Sequence, residues 1–190
     1  GEYLISKEIS ISGLSSLFTL GKQIEHPITI PEGWTSWEIV NALNSNKILS
    51  GEIDSVPLEG TLAPETYFVT KGEDKANVIA MMKRRQEVVL REVWQNRKSN
   101  LPLNSPRELL ILASIIEKET GKNGERELIA SVLVNRINKG MRLQVDPTVI
   151  YGITQGKKKL ERNLNSSDLK RPTEYNTYLI SGLPQGPICN

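Results

Sequence analysis

The chain has 190 residues and a formal net charge of +2, with 38% hydrophobic and 24% charged residues. This composition is typical of a globular protein with one large or two small domains, and the nearly balanced charge does not indicate a nucleic-acid partner. A single cysteine, Cys189, and a single histidine, His26, argue against a disulfide framework, a zinc site and a Ser-His or Cys-His catalytic arrangement. We therefore predict no metal and no cofactor, and we expect any catalysis to use carboxylates.

The first half contains a degenerate repeat, in which each copy reads as a strand, a tight turn and a short amphipathic helix. Ile5 of the first copy corresponds to Ile30 of the second at an offset of 25 residues, and a third copy is predicted near residues 67–82. Thr35 and Glu38 form a capping-box pattern at the start of the second helix. Because one strand-helix unit cannot bury its own apolar face, we predict that the first two copies pack together.

This repeat resembles LysM-like modules, which bind polymers of N-acetylglucosamine. We predict a LysM-like module with two strand-helix copies at residues 1–55, and a second, catalytic domain at residues 56–190 that contains the third copy. The expected fold class is α+β, with small strand-helix modules followed by a mainly helical domain with irregular loops.

A helix that is apolar on nearly every side is predicted for residues 106–120. Its start is marked by the Ser-Pro-Arg-Glu sequence of residues 105–108, and Gly121 is suited to end it. A helix of this composition is typically buried, so Glu117 and Glu119 in its last turn are delivered to the edge of a hydrophobic core. There the charged form of an acid loses hydration, which prepares a carboxyl group to donate a proton near neutral pH. The alternative is that both acids are solvated.

After a second helix at residues 125–139, the chain becomes irregular and rich in polar and aromatic residues. Tyr, Asn, Gln and Thr together suit a sugar, which has hydroxyl groups at its edges and apolar C–H faces. Loops on a rigid scaffold are where binding groups are usually found. We therefore predict that residues 141–151 and 175–184 converge on Glu117 and form one wall of a cleft.

Five segments together resemble the YceG-like endolytic murein transglycosylase family (MltG) in their order and spacing: 59–67, 113–120, 131–136, 141–151 and 175–184. The resemblance covers almost the whole chain. It implies lytic cleavage of the β-1,4 bond between N-acetylmuramic acid and N-acetylglucosamine in peptidoglycan glycan strands, which leaves 1,6-anhydromuramoyl ends. It also implies a role in terminating or trimming nascent strands.

Within this resemblance, Glu117 corresponds to the single catalytic acid and base of the family. The helix pattern itself does not favour Glu117 over Glu119. At about 100° per residue, Glu119 lies nearer the middle of the apolar arc. Glu119 is then expected to be a buried supporting acid. Glu65, which replaces the aspartate more usual in the family, is expected to be another supporting acid. The resemblance further implies that the following residues bind substrate: Gln144, Asp146, Thr148, Tyr151, Tyr175, Asn176, Thr177 and Tyr178.

The resemblance also implies surroundings for the protein in the bacterial cell envelope. Family members carry an N-terminal membrane anchor and a longer C-terminal tail, and we expect this chain to be part of such a protein. We expect it at the periplasmic, extracytoplasmic face of the inner membrane, with glycan strands as substrate and peptidoglycan synthases as candidate partners.

Two other functions are open at this stage. One is a non-catalytic peptidoglycan-binding module, which the LysM-like repeat favours. The other is a conventional two-carboxylate muramidase that pairs Glu117 with Asp146 or Glu65. Digested glycan strands would show anhydro ends for a lytic enzyme, reducing ends for a hydrolase and no cleavage for a binding module.

Overall fold

Helices are the main secondary structure of the chain, of which the computed structural model describes residues 1–21 and 23–190. Across those residues, seven helices and two strands confirm the predicted α+β class. In chain order the elements are α1 (Ile11–Leu20), β1 (Glu25–Thr29), α2 (Ser36–Ser45), β2 (Thr66–Thr70), α3 (Lys75–Gln95), α4 (Pro106–Glu119), α5 (Asn123–Asn138), α6 (Asp146–Thr154) and α7 (Ser166–Leu169). Within the same residues, no helix is both long and apolar enough to cross a membrane.

The two strands pair with each other, and they belong to the second and third copies of the repeat. β1 and β2 are antiparallel, with Glu25 opposite Thr70 and Thr29 opposite Thr66. Our prediction that the first two copies pack together was therefore wrong. Residues 4–9 form no strand, and no residue of α1 is buried. The first copy thus has no buried apolar face through which the hydrophobic effect would dock it on a neighbour.

The strand-helix unit, residues 25–95, has a hydrophobic core of its own. The predicted capping box is present in α2, where Thr35 Oγ1 accepts from Glu38 N at 3.2 Å and a Glu38 oxygen accepts from Thr35 N at 2.9 Å. The domain boundary that we expect between residues 55 and 56 is a statement about which part of the chain folds on its own, and it stays a prediction. Buried residues from both sides of that boundary form this core: Ile28, Ile30, Ile39, Leu43, Leu49, Leu62, Tyr67, Val69, Val78, Ile79 and Met82.

A second core forms around α4, which begins as predicted. Ser105 Oγ accepts from Glu108 N at 3.2 Å, and Pro106 is the first helical residue. The helix ends at Glu119, and its C-cap residue Thr120 is extended, with φ −144°, so Gly121 follows directly after the cap. The buried residues of this core are Leu103, Ile111, Leu112, Ile115, Leu133, Leu143, Val145, Tyr151 and Ile188.

A partly buried polar junction, centred on Asn190, connects the two cores. The backbone of Asn190 pairs with the turn before α2: Gly33 N donates to Asn190 O at 3.0 Å, and Asn190 N donates to Trp34 O at 2.9 Å. Its carboxamide accepts from Leu62 N at 2.9 Å and donates to Glu59 Oε2 at 3.1 Å. We call this set of contacts the Asn190 junction.

Glu59 is the charged member of the Asn190 junction. Both of its carboxyl oxygens accept from Ser36 N, at 3.0 and 3.1 Å. These bonds favour the ionised carboxylate, but the loss of hydration on burial is the larger effect. Burial therefore raises the pKa of Glu59 to about 7 from its ordinary value of 4.5. At neutral pH, the junction holds an acid that is close to its titration midpoint.

The raised pKa of Glu59 predicts a pH-dependent contribution to stability. The folded protein holds the Glu59 proton more tightly than the unfolded chain, so this contribution is full below about pH 4.5 and is lost as pH rises through about 7. By linkage, the loss is on the order of 3 kcal/mol. Glu59→Gln keeps a neutral group there, and its stability relative to wild type should therefore rise between pH 5 and pH 8. Denaturant unfolding at both pH values measures this difference.

The matched control is Glu52→Gln, which changes an exposed acid outside both cores. Its stability relative to wild type should stay constant over the same pH range. If Glu59→Gln and Glu52→Gln gave parallel pH profiles, the assignment of the titration to Glu59 would be wrong.

Candidate active site

Glu117 lies in the last turn of α4, at the edge of the second core. The preceding turns are anchored by Ile111, Leu112 and Ile115, which are buried, and this fixes the direction of the last turn. The side chain of Glu117 remains 25% exposed. Its Oε2 atom is 2.7 Å from Nη2 of Arg126 on α5, a charge-assisted contact that fixes one side of the carboxyl group. Glu117 is therefore an ordered and accessible acid.

The turn at residues 31–34 of the strand-helix unit covers the other side of Glu117. Gly33 has φ 77°, a left-handed conformation that favours glycine, and a Cβ atom built there would be 3.5 Å from Glu117 Cγ. Lys118 Nζ donates to Gly33 O at 3.2 Å. The same Gly33 pairs with Asn190, so Glu117 lies where the two cores meet.

Arg126 is shared between two acids of this region. Its guanidinium is 2.7 Å from Glu117 and 3.7 Å from Oε2 of Glu32, which lies in the turn at residues 31–34. The Nε–H group of Arg126 is buried and has no hydrogen-bond partner within the described part of the chain. Arg126 therefore has a free donor next to the carboxyl group of Glu117.

The two loops predicted to form the wall of a cleft meet each other. Thr148 and Thr177 are fully buried, and their hydroxyl oxygens are 2.8 Å apart. Thr177 Oγ1 also accepts from Val145 N at 2.9 Å, and Thr177 O accepts from Gln144 N at 3.1 Å. Residues 141–151 and 175–184 therefore contact each other, and the threonine hydroxyls bond within the loops themselves.

Asn176 has a similar position inside the loops. Its Nδ2 atom donates to Arg171 O at 2.8 Å and to Leu169 O at 3.1 Å, and its Oδ1 accepts from Tyr178 N at 3.0 Å. The side chain is fully buried. These bonds hold the loop, and the predicted contact of Asn176 with sugar stays a prediction.

The tyrosines of the predicted site lie in two places. Tyr151 and Tyr175 pack together with ring centroids 4.7 Å apart. Burial, followed by the nearby negative charge of Glu59, raises the pKa of Tyr151. Tyr178 instead donates its hydroxyl hydrogen to Asp146 Oδ1 at 2.6 Å, and this bond is the main reason why the pKa of Tyr178 rises to about 12.

Glu119 is exposed, which corrects our expectation of a buried acid. As the last residue of α4, it projects beyond the core. There it lines a hollow of about 260 Å³ with Gln144 and four apolar residues of α5: Leu128, Ile129, Val132 and Leu133. Partial loss of hydration, and then the negative charge of Asp146, raise the pKa of Glu119. Glu119 is therefore close to the loop residues that we predicted around Glu117.

The loop at residues 141–151 reaches the end of α4 from a second direction. Pro147, Ile150 and Tyr151 line a cavity of about 330 Å³ together with Lys118, the residue after Glu117. Convergence of the loop on Glu117 itself stays a prediction. The other predicted acid, Glu65, lies on the strand-helix unit, where its carboxylate accepts from Arg85 Nε at 2.7 Å.

Comparison with known proteins agrees with this architecture. The family model described as the YceG-like family matches residues 1–190. This chain belongs to the YceG-like family. An endolytic murein transglycosylase of Bacillus subtilis (strain 168) is 42% identical over 138 residues, which cover 70% of this chain and 36% of that protein. An endolytic murein transglycosylase of Streptococcus pneumoniae serotype 2 is 36% identical over 137 residues, 69% of this chain and 24% of that protein.

A solved structure supports the fold of this YceG-like chain. The crystal structure of a YceG-like protein from Listeria monocytogenes superposes with a TM-score of 0.67 at 30% identity, covering 94% of this chain and 67% of that chain. The chain spans only about a quarter to a third of the length of the two transglycosylases that it matches.

Three residues of this YceG-like region were missed by sequence reasoning: Arg126, Glu59 and Asn190. Arg126 follows Glu117 by nine positions, on a different helix, so its contact depends on the angle between α4 and α5. Glu59 begins the segment 59–67 that resembles the family, but its hydrogen-bond partner Asn190 is 131 residues away in the sequence. The available signal for Glu59 was an acid surrounded by apolar residues, between Leu58 and Leu62.

The buried position of Asn176 predicts that its main effect is on stability. Asn176→Ala leaves two carbonyl groups and one N–H group without their partner, and each buried unpaired group costs about 1–3 kcal/mol. We expect unfolding free energy to fall by about 2–4 kcal/mol. Gln144→Ala, at an exposed position of the same wall, should change it by about 0.5 kcal/mol or less.

Urea unfolding of both variants measures this contrast. Equal stability of Asn176→Ala and Gln144→Ala would contradict the buried role of the Asn176 carboxamide.

Proposed function

We propose that this YceG-like protein is an endolytic lytic transglycosylase that cleaves glycan strands of peptidoglycan between N-acetylmuramic acid and N-acetylglucosamine. The observation that carries the proposal is the position of Glu117, an accessible acid held between the two cores at the end of α4, a helix anchored by buried residues. The relatives named endolytic murein transglycosylases support the reaction class. The role that follows is to terminate or trim nascent strands.

In the proposed reaction, Glu117 acts first as an acid and then as a base. Its carboxyl proton passes to the glycosidic oxygen as the bond between that oxygen and C1 of the muramoyl residue breaks. The resulting carboxylate accepts the proton of the muramoyl 6-hydroxyl as O6 bonds to C1, which forms the 1,6-anhydro ring. Glu117 thus gives one proton to the leaving group in the first step and regains another from the 6-hydroxyl in the second, so it ends the cycle protonated.

This scheme needs one acid where ordinary glycosidases use two carboxylates. The 6-hydroxyl is part of the substrate, and a well-placed intramolecular group has an effective molarity of ~10⁵ M or more. An enzyme that holds the sugar in the correct conformation therefore needs no second carboxylate. In this protein, the surroundings of Glu117 supply an arginine, Arg126, instead.

Arg126 is proposed to orient the carboxyl group of Glu117. One guanidinium nitrogen bonds Oε2, and the second acid, Glu32, keeps the guanidinium in this region. Oε1 of Glu117 then remains available for the glycosidic oxygen.

The strand-helix unit is proposed to be the LysM-like part of the protein. Its turn at residues 31–34 adjoins Glu117, so this unit supplies one side of the glycan cleft. The proposed division is into a module within residues 1–55 and a catalytic domain at residues 56–190, although the core of the strand-helix unit draws on both ranges.

The proposed location is the extracytoplasmic face of the cell membrane, and the proposed partners are peptidoglycan synthases.

Glu117→Gln tests the catalytic assignment. The amide keeps the shape of the side chain and its bond to Arg126 but has no proton to transfer, so cleavage should fall by about 10²–10⁴-fold or more. The melting temperature should stay close to that of wild type. Mass spectrometry of digested glycan strands measures both the rate and the chemistry, because lytic cleavage leaves anhydro ends and hydrolysis leaves reducing ends.

Glu119→Gln is the matched control, because it changes an acid two residues away with an exposed side chain. It should retain most of the activity. If Glu117→Gln were active and Glu119→Gln inactive, the catalytic acid would be Glu119. Reducing ends in the wild-type digest would instead favour the two-carboxylate muramidase.

Substitution of Arg126 tests its positioning role. Arg126→Ala frees the carboxyl group of Glu117 to rotate, and a misplaced catalytic group costs up to about 10²-fold in rate. We expect kcat to fall by about ten- to hundredfold with little change in KM, and Arg126→Lys to recover part of the loss through a single donor. Arg85→Ala, which removes the equivalent partner of Glu65, should leave kcat unchanged.

Steady-state digestion of purified glycan strands gives kcat and KM for all three variants. Parallel losses in Arg126→Ala and Arg85→Ala would show that Arg126 acts only through stability.

A further inference from the structure

A cavity of about 520 Å³ opens beside the Asn190 junction, and the proposed chemistry at Glu117 does not use it. Three aromatic side chains, Trp37, Tyr151 and Tyr175, form part of its lining. The polar part of the lining includes Glu59 and Arg107. This volume is within the range of sites that hold small organic ligands, about 300–1,000 Å³.

Glycines bring the chain close to these side chains and so shape the cavity. A Cβ atom at Gly156, which has φ 68°, would be 3.1 Å from Glu59 Oε1 and 3.0 Å from Tyr151 Cε2. A Cβ atom at Gly186 would be 3.2 Å from the Tyr175 hydroxyl oxygen and 3.4 Å from Arg107 Nη2. Larger side chains at these two positions would press on the polar groups of the lining.

The polar groups of the cavity are held in place by the fold. The backbone N–H of Ser36 and the carboxamide of Asn190 both donate to the carboxyl group of Glu59. Arg107 Nη2 donates to Gln185 O at 2.9 Å, and its other N–H groups are available for a ligand. An acceptor and a donor are therefore fixed next to flat aromatic faces.

We infer that this cavity, which we call the Trp37 cavity, binds one N-acetylhexosamine residue of a glycan strand. The ring of such a sugar has an apolar C–H face that suits an aromatic side chain, and its hydroxyl and acetamido groups match a carboxylate and a guanidinium. Lys157 also lines the cavity, so two cationic donors, Arg107 and Lys157, stand with the Glu59 carboxyl group and can bond the hydroxyl and acetamido oxygens of a sugar. The choice of ligand rests on the proposed function.

The contacts of Asn190 connect the Trp37 cavity to the catalytic region. Its side chain bonds Glu59, and its backbone bonds the turn that lies against Glu117. A strand that has one sugar in the Trp37 cavity is therefore held by the same junction that positions the acid. The cavity would contribute to the binding of the strand and not to the chemical step.

A titration with chitotetraose, the β-1,4-linked tetramer of N-acetylglucosamine, tests the inference locally. The protein has three tryptophans, whose indole N–H signals are resolved by NMR and assigned by substitution. Chitotetraose should shift the Trp37 signal in a saturable way in wild type and in Glu117→Gln. Absence of a saturable shift at Trp37, up to millimolar sugar, would overturn the inference.

Variants then establish which side chain binds the sugar. By calorimetry, Trp37→Ala should raise the Kd for chitotetraose by about tenfold or more, and Trp37→Phe should restore part of the affinity. Phe68→Ala removes an exposed aromatic ring of β2 that does not line the cavity, and it should bind as wild type does. Melting temperatures confirm that the three variants are folded.

Two further outcomes separate this inference from the proposed function. Unchanged chitotetraose binding by Trp37→Ala, together with loss of cleavage in Glu117→Gln, would overturn the inference and leave the proposed function intact. If wild-type protein bound chitotetraose through Trp37 but cleaved no glycan strands, the proposed function would be overturned and the inference would stand. A peptidoglycan stem peptide that shifts the Trp37 signal, where chitotetraose does not, would show that the cavity takes peptide and would also overturn the inference.

Discussion

The Asn190 junction is the contact on which the arrangement of the two cores depends. The backbone of Asn190 extends the turn of the strand-helix unit, while its carboxamide bonds Leu62 and the buried carboxyl group of Glu59. A few residues earlier, Ile188 N donates to Ser114 Oγ on α4 at 3.1 Å. Residues 188–190 therefore connect the strand-helix unit to α4, the helix that carries Glu117. Because Ser36 and Leu62 are buried and Glu59 and Asn190 are partly buried, a lost partner would leave a polar atom poorly hydrated, which makes the arrangement specific.

This junction explains how an acid is kept both ordered and accessible. A side chain inside either core would be sealed from a polymeric substrate, and one on an open surface would be free to rotate. Glu117 is at the boundary, where α4 provides rigidity, Arg126 provides a bond and the turn around Gly33 provides a close backbone. The alternatives of two solvated acids and of two buried acids both fail here, since Glu117 is partly buried and Glu119 is exposed.

Local signals predicted the elements well, and long-range contacts were out of their reach. The capping residues Thr35 and Ser105, together with the apolar pattern of α4, fixed both helix starts because capping depends on neighbours within four residues. The pairing of β1 with β2, and not with the first copy, depends on which faces become buried in the assembled fold. Arg126 was missed for the same reason, because the angle between two helices is a property of packing and not of either sequence segment.

Because Glu59 is ionisable, the strength of the Asn190 junction depends on pH, which would not be true of a purely apolar contact. Below neutral pH, the carboxyl group is neutral and its burial costs little, whereas at higher pH a buried charge must be stabilised by Ser36 N and Asn190. The same carboxyl group lines the Trp37 cavity, where it faces Tyr151 and Arg107. A hydroxyl donor from a ligand would add a hydrogen bond to the charged form, as Ser36 N already does. A ligand bound beside Glu59 would therefore shift the ionisation of the same carboxyl group on which the pH dependence of the junction rests.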